Sequence, residues 1–343
     1  GLHSGARILI LDEPTSALSL PETRRLFDLI KHLQTRGVAM VFISHFLEDV
    51  LAICDRVTIL KDGRNLTTQA ARELDRAAII RQMVGDADDS TSEECVETTL
   101  PAAVSGSARI EMKGLVRHGC FENISLDVKP GECLGLYGFV GAGHQDLVHA
   151  LGGAVPSVRG QILIDGRPLK SGNVANAVRE GIVMVAADRA QTLARRASIA
   201  HNMTLAHLRR TLGAWLVRKR EYQACQPMLE RVGCRPTNPA LRAGSLSGGN
   251  QQKVVLAKWL FGPIRVLLLE EPTRGMDVHA KAEIMELVAE QKRQGAAVIL
   301  ASTEPELVLA HSDRIATLAR GRVTRVFSGE RVTKQDLMRH AEA

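Results

Sequence analysis

The chain has 343 residues, a length that suits two domains, and its 45% hydrophobic content is enough for ordinary cores, which excludes a disordered chain. Its formal net charge is +6, but the Lys and Arg residues are scattered among acids and aromatic residues make up only 3%, which speaks against a nucleic-acid-binding protein. The six cysteines form no CxxC pair, no run approaches the roughly eighteen apolar residues of a membrane span, and no signal peptide precedes the first strand, so a reducing compartment is expected and any membrane role comes through a partner.

Ile8 to Leu11 is an apolar run that ends abruptly in Asp12, Glu13 and Pro14, the form of a short buried strand. Ser19-Leu20-Pro21-Glu22 has capping-box form, with Ser19 at N-cap and Glu22 at N3, and predicts a helix through about Gln34. Gly37 stops that helix and Val38 to Ile43 supplies the next strand. A helix over Leu47 to Ile53, a strand over Arg56 to Leu60 and a turn at Asp62-Gly63 follow. Strands alternating with helices of this length predict an α/β fold with a mainly parallel, doubly covered sheet. Residues 86–107 collect Asp86, Asp88, Asp89, Glu93, Glu94 and Glu97 with Ser, Thr and Pro101 but little apolar periodicity, and read as a linker. A second domain is expected over 108–343, opening with strands at Ile110 to Leu115 and Ile124 to Val128, a turn at Pro130-Gly131 and a strand at Cys133 to Tyr137. Short helical stretches are expected at Ser198 to Leu208 and Gln223 to Val232.

One block occurs twice. Asp12-Glu13-Pro14-Thr15 returns as Glu270-Glu271-Pro272-Thr273 behind Val266-Leu267-Leu268-Leu269, a shift of 258 positions from 12 to 270. The same shift relates Gly37 to Gly295, Ser44 to Ser302, Glu48 to Glu306, Asp55-Arg56 to Asp313-Arg314 and Gly63-Arg64 to Gly321-Arg322. The chain reads as a tandem repeat of one nucleotide-handling unit, whose first copy, residues 1–85, is expected to lack its beginning.

Gly138-Phe139-Val140-Gly141-Ala142-Gly143-His144-Gln145 follows the strand at Cys133 to Tyr137 and precedes a helix running toward Leu151, the spacing and context of a GxxxxGK[ST] phosphate loop. Gly138, Gly141 and Gly143 let the backbone wrap a phosphate so that N–H groups and the helix N-terminus face its oxygens. His144 stands where Lys belongs, and Gln145 where Ser or Thr would hold magnesium. A free histidine is only about a quarter protonated at pH 7, although phosphate raises that fraction. The Gln145 amide oxygen must meet a demanding octahedral geometry from a longer side chain. Nucleotide binding is therefore expected to be weakened more surely than abolished; the alternative is a loop kept for its fold.

An apolar strand ending in Asp-Glu in such a domain suits metal-assisted phosphoryl transfer, in which the first acid holds magnesium and the second polarises the attacking water. Asp12 and Glu13 fit these roles; the plainer alternative is a strand ending in a solvated acid pair. In the second copy Glu270 is one methylene longer than the metal-binding Asp, and Glu271 is expected to keep its competence while lacking a well-placed metal. His45 follows the strand Val41 to Ser44 and can donate a hydrogen bond to a γ-phosphate, whereas its counterpart is Thr303. Ser19 corresponds to Asp277 and has a sufficient role as a helix cap.

Leu246-Ser247-Gly248-Gly249-Asn250-Gln251-Gln252-Lys253, followed by a helical stretch through Leu260, resembles the ABC signature motif. With the phosphate loop and the two acidic blocks, it makes nearly the whole chain resemble the ATP-binding cassette family. The run Ser247 to Gln252, the phrase Gly138 to Gly143, and Glu271 to Val278 with Ala280-Lys281 resemble in particular the fused double-cassette ATPases of bacterial monosaccharide importers. The resemblance implies P-loop NTPase cassettes in tandem, mainly parallel sheet cores with an antiparallel β-subdomain and a helical subdomain. It implies ATP and Mg²⁺ as cofactors. Integral-membrane permease subunits, and through them a periplasmic sugar-binding protein, are the implied partners, with the subunit peripheral at the cytoplasmic face of the inner membrane.

In such a head-to-tail pair each ATP lies between one domain's phosphate loop and the other's signature. One working composite site would use Asp12, Glu13 and His45 with Ser247, Gly248, Gly249, Asn250 and Gln251. A degenerate one would use the 138–145 loop with Gln145, Glu270, Glu271, Thr303 and Asp277. Ala187-Asp188-Arg189 stands where these importers commonly carry Glu-Asp-Arg, so the Glu of that triplet is lost while its Asp is kept. The first copy's own phosphate loop and signature are expected about 120 and about 11 residues before Gly1, and this chain alone is expected to be nearly inactive. Rival readings are a catalytically inactive scaffold or regulatory cassette, a truncated remnant, and an importer ATPase for another small solute.

Overall fold

The computed structural model describes residues 7–12, 14–15, 20–44, 47–61, 64–75, 79, 97–102, 106–156, 158–188, 192–208, 213 and 217–342. Glu13, Ser19, His45, the Asp62-Gly63 turn and Arg189 lie outside the described residues. The chain divides into two compact units, residues 1–95 and 96–343.

In the first unit, β1 (Ile8–Asp12) pairs in parallel with β2 (Ala39–Ile43), and α1 (Leu20–Thr35) connects them. Gly37, at φ +77°, takes the left-handed turn after α1 and donates its N–H to the Gln34 carbonyl at 2.9 Å. Next come α2 (Leu47–Ile53) and an antiparallel hairpin of β3 (Arg56–Lys61) and β4 (Arg64–Ala70). Val50, Val57, Ile59, Ala71, Leu74 and Ile79 form a small core, with Phe42, Leu47 and Leu51 against it. The other face of the β1–β2 pair is apolar and exposed: Ile8 and Ile10 at 65%, Val41 at 50% and Ile43 at 46%.

The second unit begins with β5 (Glu97–Thr99), β6 (Ile110–Arg117), β7 (Phe121–Val128) and β8 (Cys133–Tyr137). After these come α3 (His144–Leu151), β9 (Arg159–Ile164), β10 (Arg167–Pro168), α4 (Val174–Arg179) and β11 (Ile182–Val185). Next come α5 (Ile199–Thr204), α6 (Arg218–Arg231) and α7 (Gly248–Leu260), and then β12 (Val266–Glu270), α8 (Val278–Arg293) and β13 (Ala297–Ser302). The chain closes with α9 (Pro305–His311), β14 (Arg314–Ala319), β15 (Arg322–Phe327), β16 (Arg331–Thr333) and α10 (Lys334–Ala341).

Two sheets organise this unit. A six-stranded sheet runs β11-β12-β13-β8-β14-β15, parallel except for the edge pair β14–β15. A four-stranded antiparallel sheet runs β10-β9-β6-β7. Val266, Leu267, Leu268 and Leu269 are each 0% exposed, as a continuous apolar run in a doubly covered parallel strand should be. One core lies between the sheets and α3, built around Ile124, Leu136, Leu147 and Leu268. A second lies on the other face, where α5, α6 and α7 pack Met203, Leu229 and Val255 against Leu267 and Leu269.

The sequence repeat is a repeat of structure. Shifted by 258 positions, α1 (Leu20–Thr35) becomes α8 (Val278–Arg293) and α2 (Leu47–Ile53) becomes α9 (Pro305–His311). Strand register follows the same shift: Ile8↔Ala39 corresponds to Val266↔Ala297, and Val57↔Gln69 to Ile315↔Phe327. Even the irregularity between Ile59 and Leu60 recurs between Thr317 and Leu318. Within the expected linker, Glu97–Thr99 instead forms an antiparallel pair with Arg331–Thr333, and Leu100 is 2% exposed. A three-residue strand is too short for periodicity to reveal, and its partner is far along the chain.

Candidate functional site

The chemistry-bearing residues of the second unit collect at the C-terminal ends of β8, β12 and β13, which lie in the order β12-β13-β8. In a parallel sheet this edge is where loops and helix N-termini face a ligand. The 138–145 loop leaves β8 and opens α3, with Gly141 at φ +83° and Gly143 at φ +97°. A Cβ on Gly143 would stand 2.5 Å from the Cys120 carbonyl oxygen, so the loop needs glycine both for its conformation and for this close approach. Arg117 pairs with Asp146 at 2.8 Å and fastens the first turn of α3 to β6.

His144 does not project as a lysine substitute. It is 0% exposed, and neither Nδ1 nor Nε2 has a hydrogen-bond partner. A Cβ on Gly138 would lie 3.1 Å from His144 Nδ1, which puts the ring against the base of the loop. Burial pushes its pKa down to about 4, so the ring is neutral at pH 7. A phosphate at this loop would have to be met by backbone N–H groups and the start of α3.

Glu270 ends β12, and its Oε2 accepts hydrogen bonds from His149 Nε2 and from the Ala187 N–H, each at 3.0 Å. Burial pushes the Glu270 carboxyl up, but the His149 and Ala187 hydrogen bonds and the His149 charge outweigh it and hold the group below the ordinary carboxylate range. Reciprocally, the bond to Glu270 holds His149 above its ordinary value against its partial burial. Glu271 is 4% exposed and sits at φ +41°, a left-handed conformation uncommon outside glycine. Its Oε2 accepts from Ser302 Oγ at 2.7 Å and its Oε1 from the Thr303 N–H at 2.6 Å. Burial raises its pKa despite those bonds.

Magnesium does not fit this donor set as folded. Gln145 replaces the hydroxyl ligand, Glu270 Oε2 already carries two hydrogen bonds, and Glu271 is held by Ser302 and Thr303. Among the described residues no group of His, Cys, Asp and Glu could by itself hold a metal ion. Asp277 caps α8, its Oδ1 accepting from the Ala280 N–H at 2.9 Å.

The signature segment is exposed at Ser247 and opens α7. Ser247 makes no side-chain cap bond; Asn250 Nδ2 donates to its Oγ at 2.9 Å, and Asn250 Oδ1 accepts from the Arg235 N–H at 2.8 Å. Gln251 closes the first helical bond, N–H to the Ser247 carbonyl at 2.9 Å, and donates Nε2 to the Leu246 carbonyl at 2.8 Å. Ser247 thus leaves the first-turn N–H groups of α7 without a side-chain cap, as an anion site requires. In the first unit Asp12 ends β1 in an exposed position, paired in register with Ile43.

Sequence reasoning missed His149 and the Ala187 N–H. His149 is 121 positions from Glu270, and only its place in the last turn of α3 distinguishes it.

Among the described residues no helix is long and apolar enough to cross a membrane. The ABC transporter family profile matches residues 121–274. The chain is 37% identical over 343 residues to the ribose import ATP-binding protein RbsA of Geobacillus kaustophilus, covering 99% of this chain and 68% of that protein. It is 39% identical over 343 residues to ribose import ATP-binding protein RbsA 1 of Rubrobacter xylanophilus, covering 98% and 67%. It is 36% identical over 338 residues to a putative ribose/galactose/methyl galactoside import ATP-binding protein of Rhizobium etli, covering 98% and 63%. The chain therefore spans about two thirds of the length of these relatives.

Among solved structures, cbiO1 from Clostridium perfringens, part of the ABC transporter complex cbiONQ, aligns with a TM-score of 0.55 at 22% identity, covering 65% of this chain and 90% of its own. The dimeric bacterial ABC transporter cassette MJ0796 aligns with a TM-score of 0.55 at 22% identity, covering 64% and 99%. These two speak to the fold alone. A phosphate loop on β8, an acidic strand end on β12 and a signature opening α7, in a chain this similar to its relatives, mean that it belongs to the ABC transporter family of ATP-binding proteins.

Proposed function

We propose that this chain is the larger part of a fused double-cassette subunit that energises sugar import through a membrane permease by ATP hydrolysis. The observation that carries the reading is the signature at Ser247-Gly248-Gly249, with Ser247 exposed and the helix start left without a Ser247 cap, together with a phosphate loop in which the residue at the lysine position, His144, is buried and neutral. A cassette built so is equipped to complete a partner's site better than its own. The repeat of elements at a shift of 258, from α1 (Leu20–Thr35) to α8 (Val278–Arg293), supports two cassettes in one polypeptide. The exposed apolar face of Ile8, Ile10, Val41 and Ile43 supports a covering segment earlier in that polypeptide.

In the working composite site that the family resemblance implies for the whole subunit, Asp12 would hold magnesium, Glu13 would polarise the attacking water, His45 would donate to the γ-phosphate, and Ser247 to Gln251 would supply the signature. In the degenerate site His144, Gln145, Glu270, Glu271, Thr303 and Asp277 stand at the corresponding places. The subunit would bind permease subunits at the cytoplasmic face of the membrane, and through them serve a periplasmic sugar-binding protein; ribose is the sugar that the names of its relatives favour. The test is sugar uptake by cells carrying the whole subunit with its permease. Loss of uptake and ATPase activity on Glu13→Gln supports the reading, and unchanged uptake sinks it. Hydrolysis by the 343-residue chain alone, abolished by Glu13→Gln, would overturn the division of labour between the sites.

A second reading, a non-hydrolysing scaffold cassette, is favoured for the second unit by one observation: His144, Glu270 and Glu271 are all turned to internal structure. It predicts that Glu271→Gln leaves the ATPase rate of the whole subunit unchanged.

A further inference from the structure

Glu270 is the acid at which a magnesium ion would be sought, yet one of its two oxygens is already engaged by the protein. Its Oε2 accepts from His149 Nε2 and from the Ala187 N–H, each at 3.0 Å. His149 stands on α3, Ala187 follows β11, and Glu270 ends β12, so three elements around the phosphate loop are tied to one carboxylate oxygen. Magnesium takes oxygen ligands in near-ideal octahedral geometry at about 2.0–2.1 Å. Here the loop's hydroxyl ligand is replaced by Gln145, and an imidazole N–H stands against the carboxylate. Under the loop, His144 is wholly buried with both ring nitrogens unpartnered, so it supplies no ion-pair partner in magnesium's stead.

We propose that the 138–145 loop takes the phosphates of a nucleotide free of divalent metal, with His149 bonded to Glu270 where the ion would otherwise be. The inference rests on the nucleotide-binding reading of this site and deepens it. His149 touches no nucleotide; it is a positioning residue that acts through Glu270 and holds the end of β12 to α3. Backbone N–H groups of the loop and of the first turn of α3 make the phosphate contacts, a mode that needs no metal.

The test is titration of the 343-residue chain with a fluorescent ATP analogue, once with magnesium and once with EDTA, for the wild type and for His149→Ala. Wild-type affinities in the two buffers should agree within about twofold, and magnesium should tighten binding about fivefold or more in His149→Ala, where Glu270 Oε2 keeps only the Ala187 bond. A loss of about tenfold in EDTA for the wild-type chain overturns the inference while leaving nucleotide binding intact. Absence of binding in both buffers also overturns it and removes nucleotide from this loop, whereas the import reading is decided separately by the uptake assay. A His149→Ala chain as indifferent to magnesium as the wild type overturns the role given to His149. The wild-type comparison stands without the variant, and His149→Leu repeats the second arm if His149→Ala fails to fold.

Discussion

Ser302 donates its hydroxyl to Glu271 Oε2 at 2.7 Å, and both residues are buried at the ends of neighbouring strands. The same Oγ accepts the Glu304 N–H at 3.0 Å, so one hydroxyl serves two groups. Ser302→Ala leaves a buried carboxylate oxygen and a backbone donor short of a partner. The expected loss is about 1–3 kcal/mol of stability, read as a lower urea midpoint at unchanged slope. A variant within about 0.3 kcal/mol of the wild type would show that the bond is not made in solution.

The two left-handed glycines of the phosphate loop should differ in tolerance. Gly141, at φ +83°, has nothing within 4 Å of an added Cβ, so Gly141→Ala meets conformational strain of about 1–2 kcal/mol and no clash. Gly143, at φ +97°, would put its Cβ 2.5 Å from the Cys120 carbonyl oxygen and 3.2 Å from Gly321 Cα, both backbone atoms. Gly143→Ala should therefore destabilise by at least about 1 kcal/mol more than Gly141→Ala. Equal melting temperatures for the two variants would contradict the packing of the loop on the turns at 120 and 321.

Much of this was legible in the sequence, and the remainder was hidden for definite reasons. The strand Val266 to Glu270 and the helices after Gly143 and Ser247 were readable because apolar runs and glycine spacing are local signals. The run Ile182 to Val185 was as apolar but lacked an acidic terminator to mark it, and β9 pairs antiparallel with β6, a partner 43 to 54 positions away in register, which no local pattern announces. At the site, the identities of His144 and Glu270 showed that something had changed. Where the replaced side chains point was not legible. His144 turns inward, and Glu270 finds His149, because burial and hydrogen-bond satisfaction are settled by tertiary packing and not by spacing.

The signature predicts an asymmetry between variants of the whole subunit. Ser247→Arg places a bulky cation where the start of α7 would approach a γ-phosphate, and should lower ATP hydrolysis and uptake by about tenfold or more. His144→Ala removes a ring that is already neutral and buried, and should change the hydrolysis rate by less than about twofold, since the working site does not use it. The reverse order of effects would assign turnover to the 138–145 loop.

His144 also makes stability depend on pH with a determinate sign. Burial holds its folded pKa at about 4, below the 6.5 of an unperturbed histidine. The unfolded chain therefore takes up this proton first as the pH falls. The stabilisation is complete above about pH 6.5 and is lost progressively toward pH 4, roughly 1.4 kcal/mol for each unit of separation and about 3 kcal/mol in all. Carboxylates titrate in the same range, so the variant supplies the comparison. His144→Leu keeps an apolar side chain in the pocket, removes two unpartnered nitrogens and has no proton to gain. Between pH 7 and pH 5 its unfolding free energy in urea should fall by about 2 kcal/mol less than that of the wild type. Parallel curves for the two proteins would mean that the ring is solvated in solution and free to face a phosphate, and would restore His144 as a working substitute for lysine.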